Sequence, residues 1–286
     1  MRLLALETAT VEVGAAIVVD GEVRALAATR PGRRHAETLH PAVEAACALG
    51  GVALAELDAL AVDVGPGLFT GLRVGIAAAK AYAFALGLPL VTCTSTDVLH
   101  HATRQVAGAV VAVVDMRRGE LAFSLRPPDA CSGTLAADTA GEAHRGESAC
   151  EAHAAGEAHR GSTAGPLRLA GPEGLAAALV ALGAPVLAVG DGARRYGDRL
   201  TALVAEAGGG PLCLGGPELD APPVASLGVL AADRLAAAGP GGPGRRWPGW
   251  LDPEAVEPVY LRPVDARINW TTRDAPAGAG SRSGGS

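Results

Sequence analysis

The chain is poor in lysine, aromatic residues and cysteine. Lys80 is the only lysine beside 23 arginines, and aromatic residues make up 3% of the 286 residues. Small side chains must therefore fill the cores, so we expect helices to pack closely against sheets. The five cysteines include no CxxC pair, which excludes the usual zinc pattern and is typical of a reducing compartment.

Long apolar runs and excess positive charge are also lacking. The apolar run near the first residue is interrupted by Glu7 and is too short for a signal peptide or a membrane span, so we expect a cytoplasmic protein without membrane contact. A net charge of −6 excludes a chain that holds a long phosphate backbone by itself. Any nucleic-acid contact is therefore expected to be local or to come through a partner.

The first third of the chain predicts a β-meander followed by an α/β crossover. The meander strands are expected at residues 3–7, 13–19 and 22–27, with turns at 8–10 and at Asp20–Gly21. A helix is expected over 41–49, with Pro41 in its first turn and Gly50 at its end. A strand at 59–64, a glycine turn, a helix at 71–86 and a strand at 90–93 predict a parallel connection.

A similar order of elements returns later in the chain. A hairpin is expected at 109–114 and 121–125, then a helix at 175–182, a strand at 186–189, a turn at 190–192, and a helix at 196–205. The pattern predicts a duplicated α/β architecture with domains at 1–104 and 105–270. A last strand is expected at 258–262, after a linker at 239–244, and a disordered tail at 271–286.

A low-complexity insert at about 127–165 interrupts the second domain. It contains AGEAHRG twice, at 140–146 and 155–161. His144, His153, His159 and Cys150 could form a metal cluster, but Ala, Gly, Glu and Ser around them offer little to bury. We therefore predict a disordered or looped insertion.

The glycine-rich run from Gly65 to Gly71 admits two interpretations. Backbone N–H groups at a helix start favour anions, but the spacing fits neither GxGxxG nor a Walker loop, so tight helix packing is favoured. On the following helix one stripe holds Arg73, Ala77, Lys80 and Phe84, and an adjacent one holds Gly71, Gly75, Ala78 and Tyr82. This surface docks a partner helix or packs within its own domain; the sequence leaves both open.

The stretch His35-x-Glu37-x-x-His40 invites a metal interpretation. Two residues five apart on a helix point about 140° away from each other, whereas metal-binding pairs are three or four apart. We therefore predict no metal site and assign His35 and Glu37 to a polar surface or an interface. No activated serine or cysteine nucleophile stands out either.

Six blocks of sequence carry a family resemblance: LALETAT, RRHAETLHP, DVGPGLFTGLRVGIAAAKAYA, DMRRGEL, VGDGA and PVYLR. Together they resemble the TsaB (YeaZ) family of bacterial tRNA threonylcarbamoyladenosine biosynthesis proteins. GPGLFTGLRVGIAAAK is the most specific block and is similar to the family's GPGSFTGLRIG. The resemblance covers most of the chain apart from the insert, the linker and the tail.

The resemblance implies a two-domain actin-like ATPase fold of the ribonuclease H-like, sugar kinase, heat-shock protein and actin group, with duplicated mixed sheets flanked by helices. It implies a noncatalytic dimerisation subunit for N6-threonylcarbamoyladenosine (t6A) formation next to the tRNA anticodon. The partners would be a TsaD-type catalytic subunit and a TsaE-type ATPase, with tRNA reached through the complex, or a second copy of the chain. ATP and a metal ion are implied in the partners, and no cofactor in this chain.

Two rival functions stay open. One is an actin-like ATPase or kinase that works alone. The other is an M22-type metallopeptidase, but the HxxxH metal motif of the catalytic relatives is absent from this sequence.

The resemblance also implies two sets of site residues. The partner surface is expected to comprise His35, Glu37, Leu39, Val43, Thr70, Gly71, Leu72, Arg73, Gly75, Ile76 and Lys80. A vestigial nucleotide cleft is expected to comprise Glu7, Thr8, Thr10, Asp115, Gly190 and Gly192. Leu68 stands where the family usually has Ser and Glu7 where it has Asp, and both departures argue against nucleotide binding.

Overall fold

The computed structural model describes residues 1–32, 34–128, 164–238 and 252–261. The two AGEAHRG copies, the insert's histidines and Cys150, the glycine-rich linker and the predicted tail lie outside the described residues.

The first sheet has five strands, and the predicted meander forms one side of it. The strands are β1 (Arg2–Glu7), β2 (Val13–Val19), β3 (Glu22–Thr29), β4 (Ala59–Asp63) and β5 (Leu90–Cys93). Their order is β3-β2-β1-β4-β5, with antiparallel pairing in the meander and parallel pairing of β1, β4 and β5. Asp20 and Gly21 take positive φ values of 52° and 84° in the β2–β3 turn, as a two-residue hairpin requires.

The second sheet repeats this arrangement. Its strands are β6 (Ala109–Asp115), β7 (Leu121–Arg126), β8 (Arg168–Ala170), β9 (Val186–Val189) and β10 (Leu212–Leu214). The order β8-β7-β6-β9-β10 has the same sense as the first sheet, again with an antiparallel hairpin and parallel β9 and β10. The predicted duplication and the predicted mixed α/β class are confirmed.

Six α-helices accompany the sheets within the described ranges: α1 (His35–Gly50), α2 (Phe69–Leu86), α3 (Ser95–Ala102), α4 (Pro172–Leu182), α5 (Asp191–Glu206) and α6 (Val224–Ala238). Several predicted boundaries were wrong. Pro41 lies inside α1 rather than in its first turn, and Gly51, with φ 64°, ends that helix instead of Gly50. Of the predicted turn at 190–192, only Gly190 precedes α5.

Helices cover both faces of each sheet. One face of the first sheet packs on α1 and α2, and the other on α6 through residues such as Leu227 and Ala231. The second sheet packs on α4 and α5 on one face and on α3 through Leu99 on the other. Because Val98 of α3 joins the core of the first sheet, this short helix lies between the two sheets.

The predicted domain boundary needs a correction, because the chain returns to the first sheet after β10. Helix α6 packs on β1, β2 and β5, and Val256 and Val259 are buried with α1 and α2. The predicted last strand at 258–262 is wrong over the described residues, which end at 261. Val259 donates one backbone hydrogen bond to Val64 O, 2.8 Å away, but joins no ladder there. None of the helices described here has the length and apolar content to span a membrane.

Candidate functional site

The glycine turn after β4 lies directly on the turn between β1 and β2. Leu68 N donates a hydrogen bond of 2.6 Å to Ala9 O, and a Cβ at Gly67 would lie 2.1 Å from the same oxygen. Glycine is therefore needed for the close backbone approach. The favoured interpretation of tight packing is confirmed, because the chain's own first turn lies against the turn that resembled a phosphate cradle.

The glycines of α2 face the same first turn. A Cβ at Gly71 would lie 2.1 Å from Thr8 O, and a Cβ at Gly75 would lie 2.2 Å from Thr8 Oγ1. Thr8 Oγ1 in turn donates to Gly71 O at 2.8 Å. The expectation that Gly71 and Gly75 belong to the partner surface is therefore corrected: both pack against Thr8.

Most of the apolar residues predicted for the partner surface belong to the core of the first domain. Leu39, Val43, Leu72 and Ile76 are at most 6% exposed. They face inward because the sheet offers α1 and α2 an apolar surface to cover. The prediction that these four residues contact a partner is therefore wrong. They are core residues that hold α1 and α2 against the sheet.

His35 is also buried, at the start of α1. Its Nε2 lies 2.9 Å from Thr10 O, which ties the helix to the turn between β1 and β2. His40 instead lies on the surface, where Nδ1 contacts Tyr82 Oη at 2.7 Å. The prediction that the two histidines point apart is confirmed, and His35 has a structural contact in place of the predicted interface role.

The remaining predicted contacts lie on the outer side of α1 and α2. Glu37, Thr70 and Arg73 are exposed, Lys80 is half-buried, and Phe84 is 84% exposed. Residues 252–261 run beside this stripe: Lys80 Nζ donates to Glu254 O at 3.4 Å, and Arg73 Nε to Tyr260 Oη at 3.2 Å. The outer stripe is therefore a composite surface of α2 and this later segment.

The vestigial cleft residues of the first domain surround a buried pair of carboxyl groups. Glu7 and Asp63 end β1 and β4, which are parallel neighbours in register, and both are 0% exposed. Asp63 Oδ1 accepts hydrogen bonds from Gly65 N at 2.7 Å and Ser95 Oγ at 2.9 Å. Glu7 Oε1 accepts one from Ala9 N at 2.7 Å.

The two buried carboxyl groups influence each other's ionisation. Burial, together with the neighbouring Asp63, raises the pKa of Glu7 well above its usual value. Burial also raises the pKa of Asp63, to about 6, against the lowering effect of its hydrogen bonds. Because Asp63 accepts more donors, its ionised form is the better stabilised one. We therefore expect Glu7 to be the carboxyl group that stays protonated to higher pH.

The second domain places its predicted cleft residues at the end of β6. A Cβ at Gly190 would lie 2.1 Å from Val113 O, and one at Gly192 would lie 2.7 Å from Val113 Cγ1. Asp115 is buried and accepts hydrogen bonds from the side chains of Arg117 and Arg195. These glycines therefore let α5 start close to β6.

Sequence reasoning missed several functional candidates, namely Asp63, Ser95, Asp191 and Arg195. Asp191 Oδ1 accepts a hydrogen bond from Asp115 N at 2.9 Å, and burial raises the pKa of Asp191 to about 6. A signal existed, because Asp63 ends a continuous apolar strand and Asp191 follows another. In the described ranges, no group of three or more His, Cys, Asp or Glu residues is placed to hold a metal ion.

The sequence is similar to known families over part of its length. A family model described as TsaD: tRNA N6-adenosine threonylcarbamoyltransferase matches residues 29–144. The TsaB protein of Escherichia coli, a tRNA threonylcarbamoyladenosine biosynthesis protein, is 35% identical over 123 residues, which cover 42% of this chain and 53% of the relative. An uncharacterized protein of Mycobacterium tuberculosis is 43% identical over 121 residues, covering 42% and 56%. The chain thus spans about half the length of the curated relatives it matches.

The structural similarity extends further. YeaZ from Pseudomonas aeruginosa is similar over 91% of this chain and 99% of its own, with a TM-score of 0.65 and 26% sequence identity. A second structure from the same organism, described as similar to peptidase YEAZ, gives a TM-score of 0.63 and 25% identity. The structural similarity extends over most of the chain, whereas the family model matches residues 29–144.

Proposed function

The chain is TsaB/YeaZ-like in sequence and fold, and on this basis we propose that it is a noncatalytic subunit for formation of t6A in tRNA. It pairs with a TsaD-type catalytic subunit, and a TsaE-type ATPase joins the pair. ATP and the metal ion belong to those partners. The subunit acts in the cytoplasm, where tRNA is modified.

The packing around Glu7 and Asp63 supports a noncatalytic role. An actin-like ATPase needs a carboxylate free to orient water or a hydrated cation, but here Glu7 and Asp63 are both 0% exposed. The glycine turn that could hold phosphate packs on Ala9 instead. This closed arrangement is the observation that carries the proposal, since it provides a scaffold without a free catalytic carboxylate.

The outer stripe of α2 supports a partner-binding role. The chain has only three phenylalanines, and Phe84 among them is 84% exposed. Large apolar side chains on a helix surface beside an arginine are typical of protein interfaces. We assign the TsaD-type partner to this stripe, with Arg73, Ala77, Lys80 and Phe84 in contact and Glu37 and Thr70 at its edge; a second copy binds there when the partner is absent.

Co-purification tests the proposal. A tagged chain mixed with a TsaD-type protein at micromolar concentration should elute as a stoichiometric complex in size-exclusion chromatography. Separate elution would contradict the proposal. A rise in melting temperature with ATP and hydrolysis of ATP by the isolated chain would favour the stand-alone ATPase or kinase instead. Zinc retained by the purified chain would favour the metallopeptidase.

A further inference from the structure

An arginine cluster surrounds the turn between β6 and β7. Arg117 Nη1 and Arg195 Nη1 donate to the same oxygen, Asp115 Oδ2, at 3.0 and 2.9 Å. The two arginine side chains are 47% and 53% exposed, whereas that of Asp115 is 1% exposed. The carboxylate therefore lies inside and the two guanidinium groups face outward, within about 6 Å of each other as two donors to one oxygen must be.

A third arginine extends the cluster. Arg118 is exposed and forms no hydrogen bond or ion pair with any other described residue. Arg117 and Arg118 both have positive φ, 65° and 56°, so the turn presents two consecutive side chains at its tip. The side chain of Arg118 is therefore available to a ligand, next to Arg117 and Arg195, whose side chains are held by Asp115.

The start of α4 adds to the positive potential. The position of a Cβ at Gly171 lies 3.7 Å from Gly119 O, which places the N-terminal end of α4 beside this turn. No side chain caps that end, and a helix N-terminus favours negative charge.

Acidic groups also lie near the cluster and limit its extent. Asp191 is mostly buried beneath Asp115, and Glu173 is occupied by Arg199 in an exposed ion pair. Glu120 lies on the same turn as Arg117 and Arg118. Asp198 lies on α5, the helix of Arg195, and is exposed. The positive region is therefore confined to Arg117, Arg118 and Arg195.

We propose that Arg117, Arg118 and Arg195 bind phosphate groups of an RNA backbone. The inference rests on the proposed function in one respect, namely that the RNA is the tRNA to be modified. Guanidinium groups match phosphate oxygens in bidentate geometry. Because Asp115 already fixes Arg117 and Arg195, binding orders fewer side chains than it would for free arginines. A small cluster also agrees with a net charge of −6, which permits only local contact with RNA.

Salt-dependent binding of tRNA tests this proposal. Fluorescence anisotropy of a labelled tRNA transcript is measured with the chain in its complex with the TsaD-type protein, over a series of salt concentrations. Arg118→Asn and Arg195→Gln should each lower the slope of log K against log salt by about 1. Asn tolerates positive φ, and Arg117 still pairs with Asp115 in the second variant, so both should fold. Arg24→Gln, an exposed arginine of β3, is the matched control and should leave the slope unchanged.

Two outcomes would overturn the proposal. One is an unchanged slope in Arg118→Asn and Arg195→Gln at an unchanged melting temperature. The other is displacement of tRNA by poly-glutamate of equal charge, which would indicate an acidic protein segment as the ligand. A t6A assay at saturating tRNA separates the two claims: if the complex modifies tRNA while the slopes stay unchanged, only the arginine assignment fails. If no t6A forms, the proposed function fails.

Discussion

Thr8 and Gly75 are in such close contact that no side chain fits between them. A Cβ at Gly75 would lie 2.2 Å from Thr8 Oγ1, with the next atom of Thr8 at 3.4 Å. The hydroxyl also donates to Gly71 O at 2.8 Å. This contact fixes α2 on the turn after β1, and it assigns the small-residue stripe of α2 to the chain's own interior.

We predict that Gly75→Ala destabilises the protein by about 1–3 kcal/mol, because the added methyl overpacks a closed contact. Thr8→Ala alone should cost about 1 kcal/mol through the lost hydrogen bond. The double variant should be less destabilised than the sum of the two, since removal of the hydroxyl makes room for the methyl. Urea denaturation measures all three free energies of unfolding.

If the stripe of Gly71 and Gly75 docks a partner helix instead, the other alternative that the sequence left open, a substitution at Gly75 should block partner association with the fold intact. If Gly75→Ala retains the stability of the original chain but fails to bind the TsaD-type protein, this alternative is correct and the contact with Thr8 is not the constraint. Gly75→Ala also gains about 1 kcal/mol of helix propensity, and Ala77→Gly, at an exposed position on the same helix, is the control that measures this contribution.

The pair of Glu7 and Asp63 predicts an unusual dependence of stability on pH. The folded pKa values of both carboxyl groups are raised, so the folded state holds protons that the unfolded state has released. The contribution to stability is therefore complete below about pH 4, the unfolded pKa, and is lost as pH rises through about 6 and beyond.

Asp63→Asn should reduce this loss, because it removes the titration of Asp63 and its repulsion of Glu7, while the burial of Glu7 remains. The Asn oxygen can still accept from Gly65 N and Ser95 Oγ, and its amide can donate to Glu7. We expect the free energy of unfolding at pH 8 to rise by on the order of 1–2 kcal/mol, with a smaller gain at pH 5. Urea denaturation from pH 5 to 8 checks this, with the exposed Asp198→Asn as the matched control. A gain that is equal at both pH values would contradict the coupled ionisation of the two carboxyl groups.

The segment 252–261 should behave as part of the first domain. Val259 is 5% exposed among residues of α1 and α2, so Val259→Ala should destabilise the first domain by about 2 kcal/mol. Hydrogen exchange should then speed up in α2 and β4 but not in β9. Tyr260→Ala, at a residue 37% exposed, serves as the control and should cost less. Equal protection in both variants would show that the segment contributes little to the core.

The exposed stripe of α2 gives a prediction for partner binding. Phe84→Asp should reduce affinity for the TsaD-type protein at least tenfold, as truncated interface hot spots do, while the melting temperature stays unchanged or rises. Leu169→Asp, at an exposed apolar residue of the second domain, should leave the affinity unchanged. Isothermal titration calorimetry distinguishes the two, and loss of binding in both variants would place the interface elsewhere.

Much of the sheet architecture was predictable from local sequence. Alternating and continuous apolar runs, bounded by Asp20–Gly21 and by the glycines after β4, located β1 to β5 to within about two residues. The duplication was predictable for the same reason. The return of α6 to the first sheet was not, because its small apolar residues fit either core equally well and only long-range packing selects one.

The candidate site was less predictable than the fold. Helical spacing placed Gly71 and Gly75 on one face, but spacing alone does not show whether that face is turned inward or outward. Asp63 was overlooked as a site residue because its partner, Glu7, is more than fifty residues earlier and the pair forms only through the parallel register of β1 and β4. Contacts across a sheet depend on topology, which local periodicity does not reveal.

The central claim is that this chain is required for t6A formation although it does not catalyse the reaction. The most direct measurement is reconstitution with a TsaD-type protein, a TsaE-type ATPase, ATP, a threonylcarbamoyl donor and tRNA, with t6A nucleoside quantified by mass spectrometry. We expect t6A to form when the chain is present with its partners, and none when either the chain or the TsaD-type protein is omitted. Equal t6A without the chain, or t6A from the chain alone, would contradict it.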